Sequence, residues 1–139
     1  MAQDFRKQIL QIVQERNLCS CMNSTKWNEL RNAMLYEMPF PPPFIVKFLF
    51  EEQAVGAEHF DCDVPYQGAW YEAFALEGIA FDSSFAVEWV KIRPRYLSPR
   101  GRLLPPETVD AEDIFVSILK KYSIPYEQEN GVYCIYGYR

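Results

Sequence analysis

Histidine and glycine are scarce in this chain of 139 residues. The one histidine, His59, disfavours the His-based constellations on which many hydrolases and acid–base catalysts depend. Six glycines leave little room for a glycine-rich phosphate loop, and the sequence contains none. A small enzyme with an unrecognised site therefore ranks third among the functional interpretations, and we expect no catalytic residue and no cofactor.

Long apolar runs are also missing. No stretch approaches the ~18 apolar residues that a membrane span requires, and residues 1–17 are polar and amphipathic rather than a secretory signal. We therefore expect a cytoplasmic protein without membrane association. Thiols are reduced by default in that compartment, so the four cysteines are not expected to form disulfides.

Apolar and aromatic residues, in contrast, are plentiful, at 49% and 16% of the chain. This composition fits a folded domain and excludes a disordered tail. The length suits one domain, so we predict a single α+β domain over residues 1–139.

Hydrophobic periodicity predicts the element order ααβββαββ, with a mostly antiparallel sheet and helices packed on one face. Four prolines in residues 39–43 forbid a helix there and favour a rigid crossover into the sheet. The pair Asn130-Gly131 predicts a two-residue hairpin turn. The predicted helices cover about 4–17, 23–35 and 107–122, and the predicted strands cover 44–51, 69–76, 85–94 and the two arms of that last hairpin.

Charge is segregated along the chain, which has a net charge of −5. No Lys or Arg occurs between Lys47 and Lys91, whereas nine acidic residues do. Such a stretch, with aromatic residues interspersed, favours a surface for a cationic protein partner. We therefore predict a non-enzymatic protein-binding protein, and specifically an immunity-type protein that neutralises a cationic toxin. The predicted partner-binding residues are Glu51, Glu52, Glu58, Asp61, Asp63, Tyr66, Trp70 and Tyr71.

A basic block follows, with five of the fourteen cations between residues 91 and 102. On a strand its first cations would alternate onto one face beside Trp89, as in a module for single-stranded nucleic acid. A pI near 4.9 opposes that alternative. Internal ion pairs, for instance with the acids of residues 107–113, explain the block best. Its candidate residues are Trp89, Lys91, Arg93, Arg95, Arg100 and Arg102.

His59, Asp61 and Asp63 would share one face of an extended segment, where such a set could bind a divalent metal ion. Cys19 and Cys21 could add thiolates. The spacing matches no standard structural zinc pattern, and a solvated acidic loop needs fewer assumptions. No metal site is predicted.

Several motifs occur together: "NSTKWNELRNAM", "PFPPPF", "VEWVKIRPRY", "RGRL" and "IPYEQENGVYCIYGYR". In combination they resemble a family of small bacterial proteins known as a domain of unknown function. The resemblance covers residues 23–139 and leaves residues 1–22, with the first helix, outside. It implies no activity, cofactor or active site, although small uncharacterised proteins of this type are sometimes immunity partners of toxins.

Overall fold

A computed structural model describes residues 2–54, 56, 60–76 and 82–139. None of the described helices combines the length and the apolar composition that a bilayer span needs. In chain order the helices and strands are α1 (Ala2–Glu15), α2 (Ser24–Tyr36), β1 (Phe44–Phe48), β2 (Val87–Ile92), β3 (Arg95–Ser98), β4 (Glu107–Asp110), α3 (Glu112–Lys121), β5 (Glu127–Glu129) and β6 (Val132–Tyr136).

The strands form two antiparallel sheets. The larger one has the order β1-β2-β6-β5, and β3 pairs with β4 in the smaller one. Because side chains alternate between the faces of a strand, the register decides which residues share a face. Val46, Val90 and Ile135 are in register across three strands, and so are Ile45, Lys91 and Cys134. This arrangement confirms the predicted α+β class.

All three helices cover the same face of the larger sheet. Val90 and Ile135 are fully buried in one apolar cluster, to which Ile9 of α1, Leu30 of α2 and Leu119 of α3 also belong. Each such side chain contributes roughly 1.5–3 kcal/mol through its removal from water. The core therefore lies between the helices and one face of the sheet, as predicted.

Local sequence signals explain α2 and the last hairpin. The side chain of Asn23 caps α2 by accepting a hydrogen bond from Lys26 N at 2.9 Å. The helix ends at Tyr36, before the prolines. In the hairpin, Asn130 and Gly131 have φ of 52° and 78°, as a two-residue primed turn requires. Both features confirm the prediction.

The predicted strand over residues 69–76 is wrong. This segment contains a 3₁₀ turn, Trp70–Glu72, and the backbone of Phe74 has φ of 70°. The indole Nε1 of Trp70 donates to the carbonyl of Pro42 at 2.7 Å, and a Cβ at Gly68 would lie only 2.1 Å from that same oxygen. A long-range contact with the proline segment therefore decides the conformation here.

The predicted helix over residues 107–122 begins later than expected. Residues 107–110 form β4, in which Thr108 lies opposite Leu97 of β3. The carboxylate of Asp110 then accepts from Glu112 N at 2.9 Å, where α3 starts. β-Branched residues such as Thr108 and Val109 favour strands. Pairing with β3 therefore determines the conformation of this segment, although its apolar residues have helical spacing.

Candidate binding groove

The face of the larger sheet opposite the helices carries a groove. Its floor contains one residue from each of three neighbouring strands, namely Ile45, Lys91 and Cys134, which are in register with one another. The cavity above them measures about 340 Å³. Of the described lining residues none belongs to a helix, so this face is free of the packing that fills the opposite one.

Acidic residues form much of the groove's rim. Glu127 and Glu129 of β5 alternate onto the groove face, and Asp61 approaches from the loop that precedes β2. All three are exposed. Phe60 and Tyr136 add aromatic surface to the same cavity. We call this set of floor and rim residues the acidic groove.

Lys91 is the cation on the floor of the acidic groove. Its Nζ lies 4.8 Å from the centroid of the Trp89 ring, which is the geometry of a cation–π contact. Among the residues that the structure describes, no carboxylate forms an ion pair with it. Trp89 and Lys91 thus do share a face, as the sequence analysis predicted.

The floor offers no activated nucleophile among its described groups. Burial raises the pKa of the Cys134 thiol, and it also raises the pKa of the Tyr136 hydroxyl. A thiol with a raised pKa stays protonated near neutral pH and reacts poorly. The chemistry of these groups therefore suits contact with a ligand better than covalent catalysis.

Arg139 flanks the groove at the β5 side. Its guanidinium pairs with Glu127 at 2.5 Å and lies 4.6 Å from the ring centroid of Tyr136. Its backbone N–H donates to the carbonyl of Cys19 at 2.9 Å, which fixes the end of the chain beside the sheet. Because Glu127 has this neighbour, Glu129 and Asp61 carry the rim charges that are unpaired among the described residues.

Arg93 lines the same cavity as Lys91, but it is a buried residue rather than the exposed cation that the strand alternation predicted. β2 ends at Ile92, and the side chain of Arg93, which follows it, is only 2% exposed. Its guanidinium donates to the carbonyl of Phe60 at 3.0 Å and to Asp63 at 3.3 Å, while its Nε is buried without a partner. The arginine therefore ties the loop at residues 60–63 to the end of the sheet.

Arg95 belongs to β3 rather than to β2, and it extends this network. It pairs with Asp63 at 3.1 Å and with Glu112 at 3.5 Å. The pairing that the sequence predicted with the acids of residues 107–113 is thus present for Glu112. Asp63 was instead assigned to a partner surface, and no local pattern shows that a loop residue about thirty positions earlier would neutralise both arginines.

The remaining cations of the block lie away from the groove. Arg100 donates to the carbonyl of Pro105 at 2.9 Å within the β3–β4 loop, and Arg102 is exposed in the same loop. Neither residue lines the acidic groove. The predicted basic block is therefore divided among the groove, a buried network and a loop.

The residues of the predicted acidic surface are likewise distributed between the core, structural contacts and the exposed surface. Trp70 is 0% exposed, so it is a core residue and its assignment to a contact surface is wrong. Glu51 accepts a hydrogen bond from Phe48 N at 2.9 Å, which gives it a structural role. Tyr71 is 77% exposed. The other exposed members of the predicted surface are Glu52, Asp61 and Tyr66.

The predicted partner-binding residue Glu58 lies outside the described residues, and so does His59. The metal site that was weighed at His59 is therefore only partly described. Within the described ranges no group of three or more His, Cys, Asp or Glu side chains is arranged to hold a metal ion.

Sequence reasoning missed the contribution of the last hairpin to the groove. Glu127, Glu129 and Tyr136 all line the cavity, yet the only feature predicted for this hairpin was its turn between two strands. The alternating acids in "YEQE" were the available signal, since alternate residues of a strand share a face.

A comparison with known protein families identifies the family of this chain. A model of a family of unknown function (DUF6678) matches residues 9–139. The protein belongs to this family. The predicted membership of a family of unknown function is thereby confirmed. The match begins within α1 at residue 9, so it includes most of the segment 1–22 that was expected to lie outside. No curated protein and no solved structure matches the chain.

Proposed function

We propose that this member of the family is a non-enzymatic binding protein and that its acidic groove receives a cationic segment of a protein partner. The observation that carries the proposal is the cavity on the helix-free face of the sheet, with Asp61, Glu127 and Glu129 at its rim. Its volume of about 340 Å³ lies at the lower end of the roughly 300–1,000 Å³ typical of ligand pockets.

The electrostatics support a cationic occupant. Two cations line the groove, Lys91 and Arg93, and the buried Arg93 is paired with Asp63, so Lys91 is the one without an ion pair among the described residues. The chain as a whole carries a net charge of −5. Complementary charge accelerates association and selects among partners more than it increases affinity.

Aromatic and apolar groups would supply the contact area. Phe60, Tyr136 and Ile45 line the cavity beside the charged groups. Aromatic rings contribute large contact areas and are enriched where proteins bind one another. A partner segment that combines Lys or Arg with apolar residues fits this lining best.

The specific form of the proposal is neutralisation of a cationic toxin by a cytoplasmic immunity-type protein. The acidic rim supports the charge of such a partner. The family is of unknown function and adds no partner of its own.

Nucleic acid is the weaker alternative. Arg93 and Arg95 are both engaged with Asp63, and Arg95 also pairs with Glu112. Of the predicted basic residues Lys91 and Arg93 line the groove, and Arg93 is buried and paired. A polyanion would meet the acidic rim at that place.

Charge reversal in the groove tests the proposal. We expect Asp61→Lys and Glu129→Lys each to weaken binding of short peptides that contain Lys or Arg by about tenfold, since charge reversal removes an exposed ion pair worth up to ~1 kcal/mol and adds a repulsion of similar size. Fluorescence anisotropy at fixed salt measures the affinity. Glu107→Lys, at an exposed residue that does not line the groove, is the matched control. Equal binding by all variants would show that the groove is not the site.

A further inference from the structure

We propose that Lys91 determines which cationic segments the acidic groove accepts, because it selects segments in which an acidic residue accompanies the cations. This inference rests on the proposed function and narrows its ligand. A segment that carries only cations would be attracted by the acidic rim but would place a positive charge next to Lys91 on the floor. A segment that carries cations and an acidic residue would interact favourably with both the rim and Lys91.

The surroundings of Lys91 carry the argument. Its neighbours in register are Ile45 and Cys134, which are uncharged and each 8% exposed. The cation–π contact with Trp89 occupies one side of the ammonium group. No described carboxylate pairs with it, whereas Glu88 on the same strand is paired twice, with Arg16 and Lys47. Lys91 is thus a half-buried cation that has no ion pair among the described residues.

An occupant of the groove would remove that solvent. An ammonium group has three hydrogen-bond donors and no acceptor, and a buried charge without a partner is costly. A ligand that presents a carboxylate above Lys91 Nζ replaces the lost water, and one that presents an ammonium adds repulsion. Lys91 on the floor of the acidic groove therefore favours ligands with a carboxylate at this position, although the acidic rim attracts any cationic ligand.

The sheet geometry sets the spacing of the two charges in the ligand. Lys91 is in register with Cys134, and the unpaired Glu129 on the next strand is in register with Val132, two residues from Cys134. Neighbouring strands are ~4.8 Å apart and each residue advances ~3.4 Å, so these two charged residues are separated by roughly 12 Å. An extended chain advances ~3.3 Å per residue, which places the acid and the base about three or four residues apart in the ligand.

Three peptides of equal length test the inference, with a Glu, a Gln or a Lys at the centre and the same flanking lysines about three or four residues away. Wild-type protein is expected to bind the Glu peptide about tenfold more tightly than the Gln peptide, and the Lys peptide most weakly. Lys91→Met, which keeps the length of the side chain, should abolish the preference for Glu over Gln. Lys91→Arg, which keeps the charge, should preserve it.

The outcomes separate the two proposals. If wild-type protein and Lys91→Met bind the peptides with the same Glu-to-Gln ratio, the role of Lys91 is overturned and the proposed function stands. If no peptide binds to wild-type protein, the proposed function fails and this inference fails with it. Circular dichroism melting curves of each variant verify that it is folded.

Discussion

The two faces of the larger sheet are built from the same strands and differ in almost every other respect. Val90 and Ile92 point into the core and are fully buried, whereas Trp89 and Lys91, which alternate with them, remain half-buried on the opposite face, where Lys91 lines the groove. Among the described residues the helices supply apolar partners to the face of Val90 and Ile92. One face therefore contributes most to stability, and the other carries the groove.

A second contrast occurs within the basic block. Lys91 and Arg93 both line the groove, but Lys91 is half-buried without an ion pair among the described residues, whereas Arg93 is buried in a network with Asp63. The difference arises because β2 ends at Ile92, so that the strand alternation does not continue. Charge composition alone could not have separated these two roles.

Truncation in the core should have the largest effect. Phe115 is fully buried and its ring lies 5.0 Å from that of Tyr133 in an edge-on contact. We expect Phe115→Ala to lower the free energy of unfolding by about 3–5 kcal/mol, since it removes a large buried side chain. Urea denaturation measures this. Tyr71→Ala, at an exposed aromatic residue, is the control, with an expected change within ~0.5 kcal/mol.

Removal of the buried Arg93 side chain should have the second-largest effect on stability. Arg93→Met leaves Asp63 without one of its two cations and the carbonyl of Phe60 without a donor. Breaking a buried pair usually costs ~3–5 kcal/mol, and we expect about 2–3 kcal/mol here because Arg95 still pairs with Asp63. Arg102→Met, at an exposed cation, is the matched control. Equal stabilities of the two variants would contradict the buried network.

Acid should weaken the contact between α1 and the sheet. Burial alone would raise the pKa of Glu88, but hydrogen bonds from Arg16 and Lys47 outweigh burial, so its pKa is lowered from the ordinary 4.5. A lowered folded-state pKa gives stability that is complete above pH 4.5 and is lost as the pH falls through the folded value.

Glu88→Gln isolates this contribution. We expect a loss of about 1–2 kcal/mol at neutral pH, since charge-assisted hydrogen bonds are replaced by neutral ones. The difference from wild type should shrink as the pH falls below 4.5. Urea denaturation across this pH range measures it, and a difference that is independent of pH would contradict the assignment. Glu15→Gln is the control at an exposed carboxylate.

Thiol reactivity gives the smallest effect and reports how open the groove is. Cys19, Cys21 and Cys62 are exposed, whereas Cys134 is buried on the groove floor with a raised pKa. We expect Ellman's reagent to modify the first three quickly and Cys134 at least about tenfold more slowly, because the thiolate is the reactive form. Cys134→Ala should remove only the slow phase. Four equally fast thiols would show that the floor is more accessible than the structure indicates.

The features that the sequence predicted well depend on neighbouring residues. The cap of Asn23 and the turn at Asn130-Gly131 are local, and both were identified correctly. The fold class followed from hydrophobic periodicity, which reports the buried face of each element.

The features that were missed depend on contacts between distant parts of the chain. Trp70 is held by Pro42, and Thr108 lies opposite Leu97, so neither conformation is encoded by its own segment. The same holds for the site, because Asp61 reaches the groove only through the loop that Arg93 anchors. The sequence indicated which acidic residues are exposed, but it did not indicate that Asp61 and the acids of β5 form the rim of one groove.

The most direct test of the central claim is to map peptide binding on the protein by NMR. On titration with a peptide that contains both Lys and Glu, we expect the largest amide shift changes at Asp61, Lys91 and residues 127–136. Changes confined to Glu52, Tyr66 and Tyr71, or to the loop at residues 99–106, would contradict the assignment of the acidic groove as the binding site.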